Sequence, residues 1–151
     1  MNSGRLTAAA SRQHGVLLPD LLDREQVSAA QRRRRVQRGE WRRLDGGILV
    51  IAGVPETFEM LATAALARHP TAALSHQSAL RIYGTETATS AIHLSVQAGG
   101  QTRAVGAVLH QTLLEERDVV VRKGFRVTTL ERTLVDLGAT MGQRELQRCI
   151  E

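Results

Sequence analysis

The apolar positions of this chain keep two rhythms, and the change from one to the other marks out its elements. At the start the rhythm is helical and short. Thr7 suits the cap of a first helix over Ala8 to His14, with Gly15 as its stop. The apolar run Val16-Leu17-Leu18 follows. Pro19 and Asp20 fit the first turn of a second helix: proline lacks only an N–H that would be unpaired there, and the acid meets the positive helix end. That helix turns Leu21 and Leu22 inward and ends near Gln26. Ser28 caps a third helix, from Ala29 to about Arg38, and Gly39 supplies the left-handed residue that ends it. The period then shortens. Trp41-Arg42-Arg43-Leu44 and Ile48-Leu49-Val50-Ile51 read as strands on either side of Asp45-Gly46-Gly47, a strong turn signal.

After Pro55, the residues Phe58, Leu61, Ala62, Ala65 and Leu66 return to helical spacing and predict an amphipathic helix that ends before His69-Pro70. Ala72-Ala73-Leu74 reads as a short strand, and Ser75 caps a helix through Tyr83 that Gly84 stops. Ile92 to Val96 alternates as a half-buried strand, with Gln97 to Arg103 as a loop and Val105 to His110 as its antiparallel partner. Val119 to Val121 and Phe125 to Val127 flank Arg122-Lys123-Gly124, a second hairpin. Thr128 or Thr129 caps a helix from Leu130 to Leu137 that Gly138 ends. Another helix begins at Gln143, with Leu146, Cys149 and Ile150 on one face. The pattern predicts an α+β chain in three parts. Residues 1-53 have the element order of a winged helix-turn-helix, 54-138 form a small mixed α/β domain, and 139-151 start a carboxy-terminal helix.

Composition narrows the class. Apolar residues make up 42% of the 151-residue chain but aromatics only 3%, so the cores must be built from Leu, Val, Ile and Ala. No apolar run approaches the roughly 18–20 residues that a membrane span needs. The start, MNSGRLTAAASRQHG, is read as carrying no signal peptide. With Cys149 alone, neither an intramolecular disulfide nor a cysteine metal cluster can form. A cytoplasmic protein is the expectation.

Charge changes the picture more. Between Ser28 and Arg43 seven arginines face one acid, Glu40, for a net +6; the remainder has thirteen basic and fourteen acidic residues, a net −1. All the excess positive charge thus lies in sixteen residues, the footprint of a polyanion binder. A helix that enters the major groove needs cations outward and aliphatic side chains inward. On the third helix, positions 29, 32, 33 and 36 are assigned to the inner face. Ala29 and Val36 suit it; Arg32 fits only by laying its stem along the core with its guanidinium outward. The outer face then holds Gln31, Arg34, Arg35 and Arg38, with glutamine matched to an adenine edge and arginine to a guanine edge. Arg42 and Arg43 on the first wing strand are placed for phosphates of a neighbouring groove. With Ser28 at the helix start, these residues form the candidate DNA-binding set. An exposed arginine run is often only a solvated helix face; a capped helix, a glycine stop and a basic hairpin in this order favour the interface. If five to seven arginines meet phosphates, the log–log salt slope is about −4 to −6.

Other chemistry is weakly signalled. His14, His69, His76, His93 and His110 have no metal-ligand spacing, and no cofactor is expected. Ser75-His76-Gln77-Ser78 reads as a helix cap with polar neighbours, since no strained nucleophile turn surrounds it. Gly46-Gly47 and Gly99-Gly100 read as hairpin turns, because neither pair lies between a strand and a helix. Arg132 and Asp136, four apart on one helix, read as a surface or capping ion pair.

Four stretches in order carry a resemblance: RQHGVLL (12–18), VSAAQRRRRVQRGEWRRLDGGILVIAG (27–53), ALSHQSALRIYG (73–84) and GFRVTTLERTLVDLG (124–138). Together they span nearly the whole chain, which resembles the AbiEi-type antitoxin and transcriptional regulator family of type IV toxin–antitoxin systems, in its actinobacterial form. The resemblance implies that the amino-terminal winged helix binds double-stranded promoter DNA and represses its own operon, while the following domain helps to neutralise a nucleotidyltransferase-like toxin. Many such relatives continue into a nuclease-like domain similar to very-short-patch-repair endonucleases. Glu151 falls where the connecting helix would begin, so the expected member lacks that domain and is not an enzyme. Three positions depart from the family pattern: Arg32 replaces an isoleucine, Gln26 a small residue and Leu18 a hydroxylated one. Two alternatives stay open, a purely toxin-binding antitoxin and the non-catalytic front half of such a nuclease protein. No membrane partner is expected, and the pattern leaves the oligomeric state undetermined.

Overall fold

A computed structural model describes residues 3–87, 89–99, 106–142 and 147. The chain is α+β and divides into two compact units, residues 1–67 and 68–151. Among the described residues no helix is long and apolar enough to cross a membrane.

The first unit runs α1 (Ser3–Ser11), β1 (Val16–Leu17), α2 (Pro19–Arg24), α3 (Ala29–Gln37), β2 (Trp41–Arg43), β3 (Leu49–Ile51) and α4 (Phe58–Arg68). Its sheet is antiparallel in the order β1-β3-β2, with Val16 opposite Val50, Leu17 opposite Leu49 and Trp41 opposite Ile51. Because side chains alternate across a strand, this short sheet feeds two cores. Leu17, Leu49 and Trp41 pack with Leu6, Ala10, Leu21, Leu22 and Val27 of the first three helices. Val16 and Val50, with Leu44 and Ile48, pack on Met60 and Ala64 of α4. Each fully buried aliphatic side chain here contributes about 1.5–3 kcal/mol. The amphipathic helix therefore packs within the first unit, whereas the hydrophobic pattern divides the chain at 53/54.

Three local readings shift. The first helix occupies Ser3–Ser11 rather than Ala8 to His14: Leu6 and Ala10 supply its buried stripe, and the chain has left the helix by His14 and Gly15, whose φ values are 56° and 84°. The apolar run after it becomes β1, one of the two edge strands of the sheet. Gly15 also lies so close to α4 that a Cβ there would meet Val54 Cγ1 at 3.0 Å and Met60 Cε at 3.2 Å. Before α2, Leu18 occupies the cap position with no side-chain hydrogen bond, and at the α2–α3 connection Gln26 adopts a φ of 53°, a conformation a small residue takes at less cost.

The second unit contains β4 (Ala73–Leu74), α5 (His76–Tyr83), β5 (Ile92–Gln97), β6 (Ala107–Thr112), β7 (Val119–Arg122), β8 (Phe125–Thr128) and α6 (Leu130–Thr140). The strands form one sheet in the order β6-β5-β4-β8-β7. The Lys123-Gly124 turn joins β7 to β8 as a two-residue hairpin. β6, however, runs parallel to β5, with Ile92 opposite Ala107 and Gln97 opposite Thr112, which corrects the antiparallel reading. Alternation fixes which face a side chain takes but says nothing about strand direction; the expected hairpin turn at Gly99-Gly100 falls partly outside the described residues. α6 continues past Gly138 to Thr140; glycine in a helix interior costs about 1 kcal/mol against alanine but does not by itself stop the helix. Thr129 is its cap, accepting the Arg132 N–H at 3.3 Å, while the buried Thr128 hydroxyl bonds that of Thr133 at 2.7 Å. The expected helix from Gln143 to Glu151 lies outside the described residues save position 147, as do Gly100 and Val105.

Two polar constructions hold this unit together. Arg132 is largely buried and bonds Asp136 Oδ1 at 2.9 Å, Asp118 Oδ2 at 2.9 Å, Thr112 Oγ1 at 2.6 Å and the Leu113 carbonyl at 3.0 Å. It therefore ties α6 to the end of β6 and the start of β7, a larger role than the i,i+4 pair. The second construction gathers three histidines. Parallel register puts His93 and His110 on one face, with His93 Nδ1 2.9 Å from His110 Nε2, and His76 of α5 stacks on His110 at a centroid distance of 3.6 Å. Near-parallel stacked rings aim their lone pairs in parallel planes and not at one point, and among the described residues no group of three His, Cys, Asp or Glu side chains is arranged to hold a metal. Burial pushes His76 down to about 4, assisted by His110 and opposed by Asp136, and burial also lowers His93 and His110.

Removing the hub, in Arg132→Met, leaves two largely buried carboxylates without their cation and should cost about 2–4 kcal/mol in urea unfolding. Acid should act through the histidines. Their folded-state values lie below the ordinary 6.5, so the unfolded chain binds more protons as pH falls. Stability is complete above about pH 6.5 and declines from there towards pH 4, by about 1.4 kcal/mol per pH unit for each proton gained on unfolding. Urea titrations between pH 7.5 and 4.5 measure this, and His76→Gln should flatten the decline.

Candidate nucleic-acid interface

The arginine-rich helix is held at both ends. Ser28 and Gln31 form a reciprocal capping box: the Gln31 N–H donates to Ser28 Oγ at 3.2 Å, and the Ser28 N–H donates to Gln31 Oε1 at 2.8 Å. At the other end Gly39 takes a φ of 72° and its N–H bonds the Val36 carbonyl at 3.0 Å. Ser28 and Gln31 thus spend their oxygens on the helix itself, and the amide oxygen of Gln31 is not free to accept from a base.

No side chain of α3 is fully buried, and its rotation differs from the expected one. The half-buried residues are Gln31, Arg32, Arg35 and Val36, so Gln31 is not on the outer face; Ala29 and Arg33 are exposed. Val36 packs on the helical core. Arg32 does lay its stem inward, and its head group has two partners, with Nε donating to the Val27 carbonyl at 2.8 Å and the guanidinium pairing with Asp23. The arginine at the isoleucine position thereby fastens the α2–α3 turn by hydrogen bonds. Arg35 is only 20% exposed: its guanidinium lies 5.1 Å from the centroid of the Trp41 ring and bonds Glu40 Oε2 at 2.8 Å.

The two wing arginines separate as strand alternation requires. Arg42 lies opposite Val50, on the face that meets α4, and bonds Glu56 Oε2 at 3.2 Å and Met60 Sδ at 3.7 Å. Arg43 lies on the other face and is exposed. Of the seven arginines between Ser28 and Arg43, Arg32, Arg35 and Arg42 are thus neutralised by Asp23, Glu40 and Glu56. Arg33, Arg34, Arg38 and Arg43 are exposed, and among the described residues only Arg38 of these has an acidic partner, a loose pairing to Glu40 at 3.9 Å. The available cationic surface is therefore the outward side of α3 continued by Arg43. Arg34, Arg38 and Arg43 of the expected set belong to it, Arg35 and Arg42 are turned to internal partners, and Arg33 joins it. The signal for Arg33 is the Trp41 ring: once Arg35 covers the tryptophan, Arg33 must face away.

No protein-family model matches the chain, and no curated protein matches it either.

This division of labour has a direct consequence for stability. Arg35→Ala should lower the unfolding free energy of the first unit by about 1–2 kcal/mol, through the lost cation–π contact and the unpaired Glu40. Arg34→Ala should leave the unfolding midpoint unchanged. The fluorescence of Trp41, the single tryptophan, reports both in urea titrations.

Proposed function

We propose that the protein is a DNA-binding transcriptional regulator of antitoxin type, a binding protein without catalysis, and that its first unit works as a winged helix-turn-helix. In this reading α3 is the recognition helix, set in the major groove of double-stranded promoter DNA, and the β2–β3 hairpin is the wing. The observation that carries it is the sorting of charge: the acids near the arginine run pair with the arginines turned inward, while among the described residues Arg33, Arg34 and Arg43 have no acidic partner and Arg38 has only a loose one. A helix decorated with arginine only for solubility needs no such sorting, whereas a polyanion surface does. The resemblance to the AbiEi-type family adds the biological setting, repression of its own promoter and contact of the second unit with a nucleotidyltransferase-like toxin.

The geometry also sets the strength of the electrostatic component. Four outward arginines, rather than all seven, give a log–log salt slope of about −3 to −4. Fluorescence anisotropy with a duplex taken from immediately upstream of the gene, over a series of salt concentrations, measures that slope. Arg33→Ala/Arg34→Ala should lower affinity by tenfold or more at low salt without changing the Trp41 unfolding curve, and Arg43→Ala should reduce the slope by about 1. A protein that ignores duplexes at low ionic strength is not this regulator; capture of an acidic protein partner under the same conditions would then assign the arginine surface to protein binding.

A further inference from the structure

The outward side of α3 is one stripe of side chains. Ala30, Arg33, Arg34 and Gln37 stand at i, i+3, i+4 and i+7, and all four are exposed. Alanine at the first of them keeps bulk away from the start of the helix. α3 has nine residues, which makes it about 13 Å long, close to the roughly 12 Å width of a major groove. A helix this short presents its whole stripe, last turn included, to the base edges.

The stripe is also sorted by hydrogen-bonding sense. Arg33 and Arg34 carry donors only, which match the two acceptors, N7 and O6, of a guanine. Adenine presents an acceptor, N7, beside a donor, its N6 amino group, so its reader needs an N–H and an oxygen on one planar group. Gln31, matched to adenine from the sequence, lies half-buried and spends its amide oxygen on the Ser28 N–H at 2.8 Å, so its amide is left with donors alone. Gln37 is exposed, and its amide has no partner among the described residues. No other side chain of the stripe has an acceptor.

We propose, resting on the reading of α3 as a recognition helix, that Gln37 is the adenine-reading residue of this surface. Its amide oxygen accepts from N6 and its amide nitrogen donates to N7 of an adenine one or two base pairs from a guanine held by Arg34. The spacing follows from the helix: Arg34 and Gln37 are three residues apart, about 4.5 Å along the axis, against about 3.4 Å for each base-pair step. Arg33, Arg38 and Arg43 supply the charge that holds the helix on the duplex, and Gln37 adds sequence preference without charge. A glutamine that touched only phosphate would raise affinity for every sequence alike.

Selection by the full chain from short duplexes with a randomised centre, followed by anisotropy on the selected sequence at fixed salt, tests this. The wild-type chain should enrich a guanine and an adenine within two base pairs of each other. Gln37→Ala should lose the preference for that adenine, about tenfold, and keep its affinity for unselected duplex. Gln37→Glu, an acceptor only, should turn the preference towards cytosine, whose N4 amino group donates. Replacing the adenine by 7-deazaadenine, which lacks the N7 acceptor, should weaken the wild-type complex several-fold and leave that of Gln37→Ala unchanged. The Trp41 unfolding curve should be the same in both variants. Retention of the adenine by Gln37→Ala, or an equal loss on every duplex, overturns the assignment and leaves DNA binding standing. Wild-type binding with no adenine preference does the same. A chain that binds no duplex at low ionic strength removes the regulator reading and this assignment together.

Discussion

The contact between Arg35 and Trp41 fixes the geometry of the first unit's cationic surface. Trp41 opens β2 and is almost wholly buried, so the strand cannot turn about it; the Arg35 guanidinium covers the ring and is held in place by Glu40, in the short connection between α3 and β2. A helix with one residue pinned to a strand has its rotation set. With Arg35 inward, Arg32 and Val36 are inward too, and Arg33 and Arg34 must face out, because positions three and four apart share a face. A cation–π contact in a partly desolvated place contributes only about 1–2 kcal/mol, yet it decides which of four adjacent arginines is available to a ligand.

Compensation follows the same arrangement. Each inward arginine meets a carboxylate: Arg32 with Asp23, Arg35 with Glu40, Arg42 with Glu56. Such partly exposed pairs add little net stability. Their larger effect is on the field, since they cancel charge where the chain packs on itself and leave it where the helix faces out. Arg32 carries a second consequence. At a position where an aliphatic residue would serve by burial, it holds the turn before α3 by bonding the Val27 carbonyl, next to the strained backbone of Gln26.

The second unit gives the other half of the comparison between sequence and fold. Its hairpin, its short strand at Ala73–Leu74 and the helix start at Thr129 were legible, because each rests on a turn, an alternation or a cap within a few residues; the helix after Ser75 also starts where expected, but the Ser75 hydroxyl makes no cap and bonds His76 Nδ1 at 3.0 Å instead. The direction of β6 was not, and with it went the histidine cluster. His76, His93 and His110 are seventeen residues apart at each step, and only the parallel register of β5 and β6 brings the last two together under α5. Arg132 and Asp136 were legible as neighbours on a helix, but the reach of Arg132 to Asp118 and Thr112 depends on where the β6–β7 connection passes.

What the sequence determined by itself were the positions where backbone preference is local and strong: the capping box of Ser28 and Gln31, the left-handed stop at Gly39, proline at the start of α2, and the turns at Asp45-Gly46-Gly47 and Lys123-Gly124. Those signals place the arginines on a helix and a strand. Tertiary structure alone decided which way each one faces. The choice between two helix faces, or between two sides of a sheet, depends on what packs opposite, here the Trp41 ring for α3 and the α4 side chains for Arg42. A dihedral preference is a property of a residue and its neighbours in the chain, whereas a face is a property of the partner across the gap.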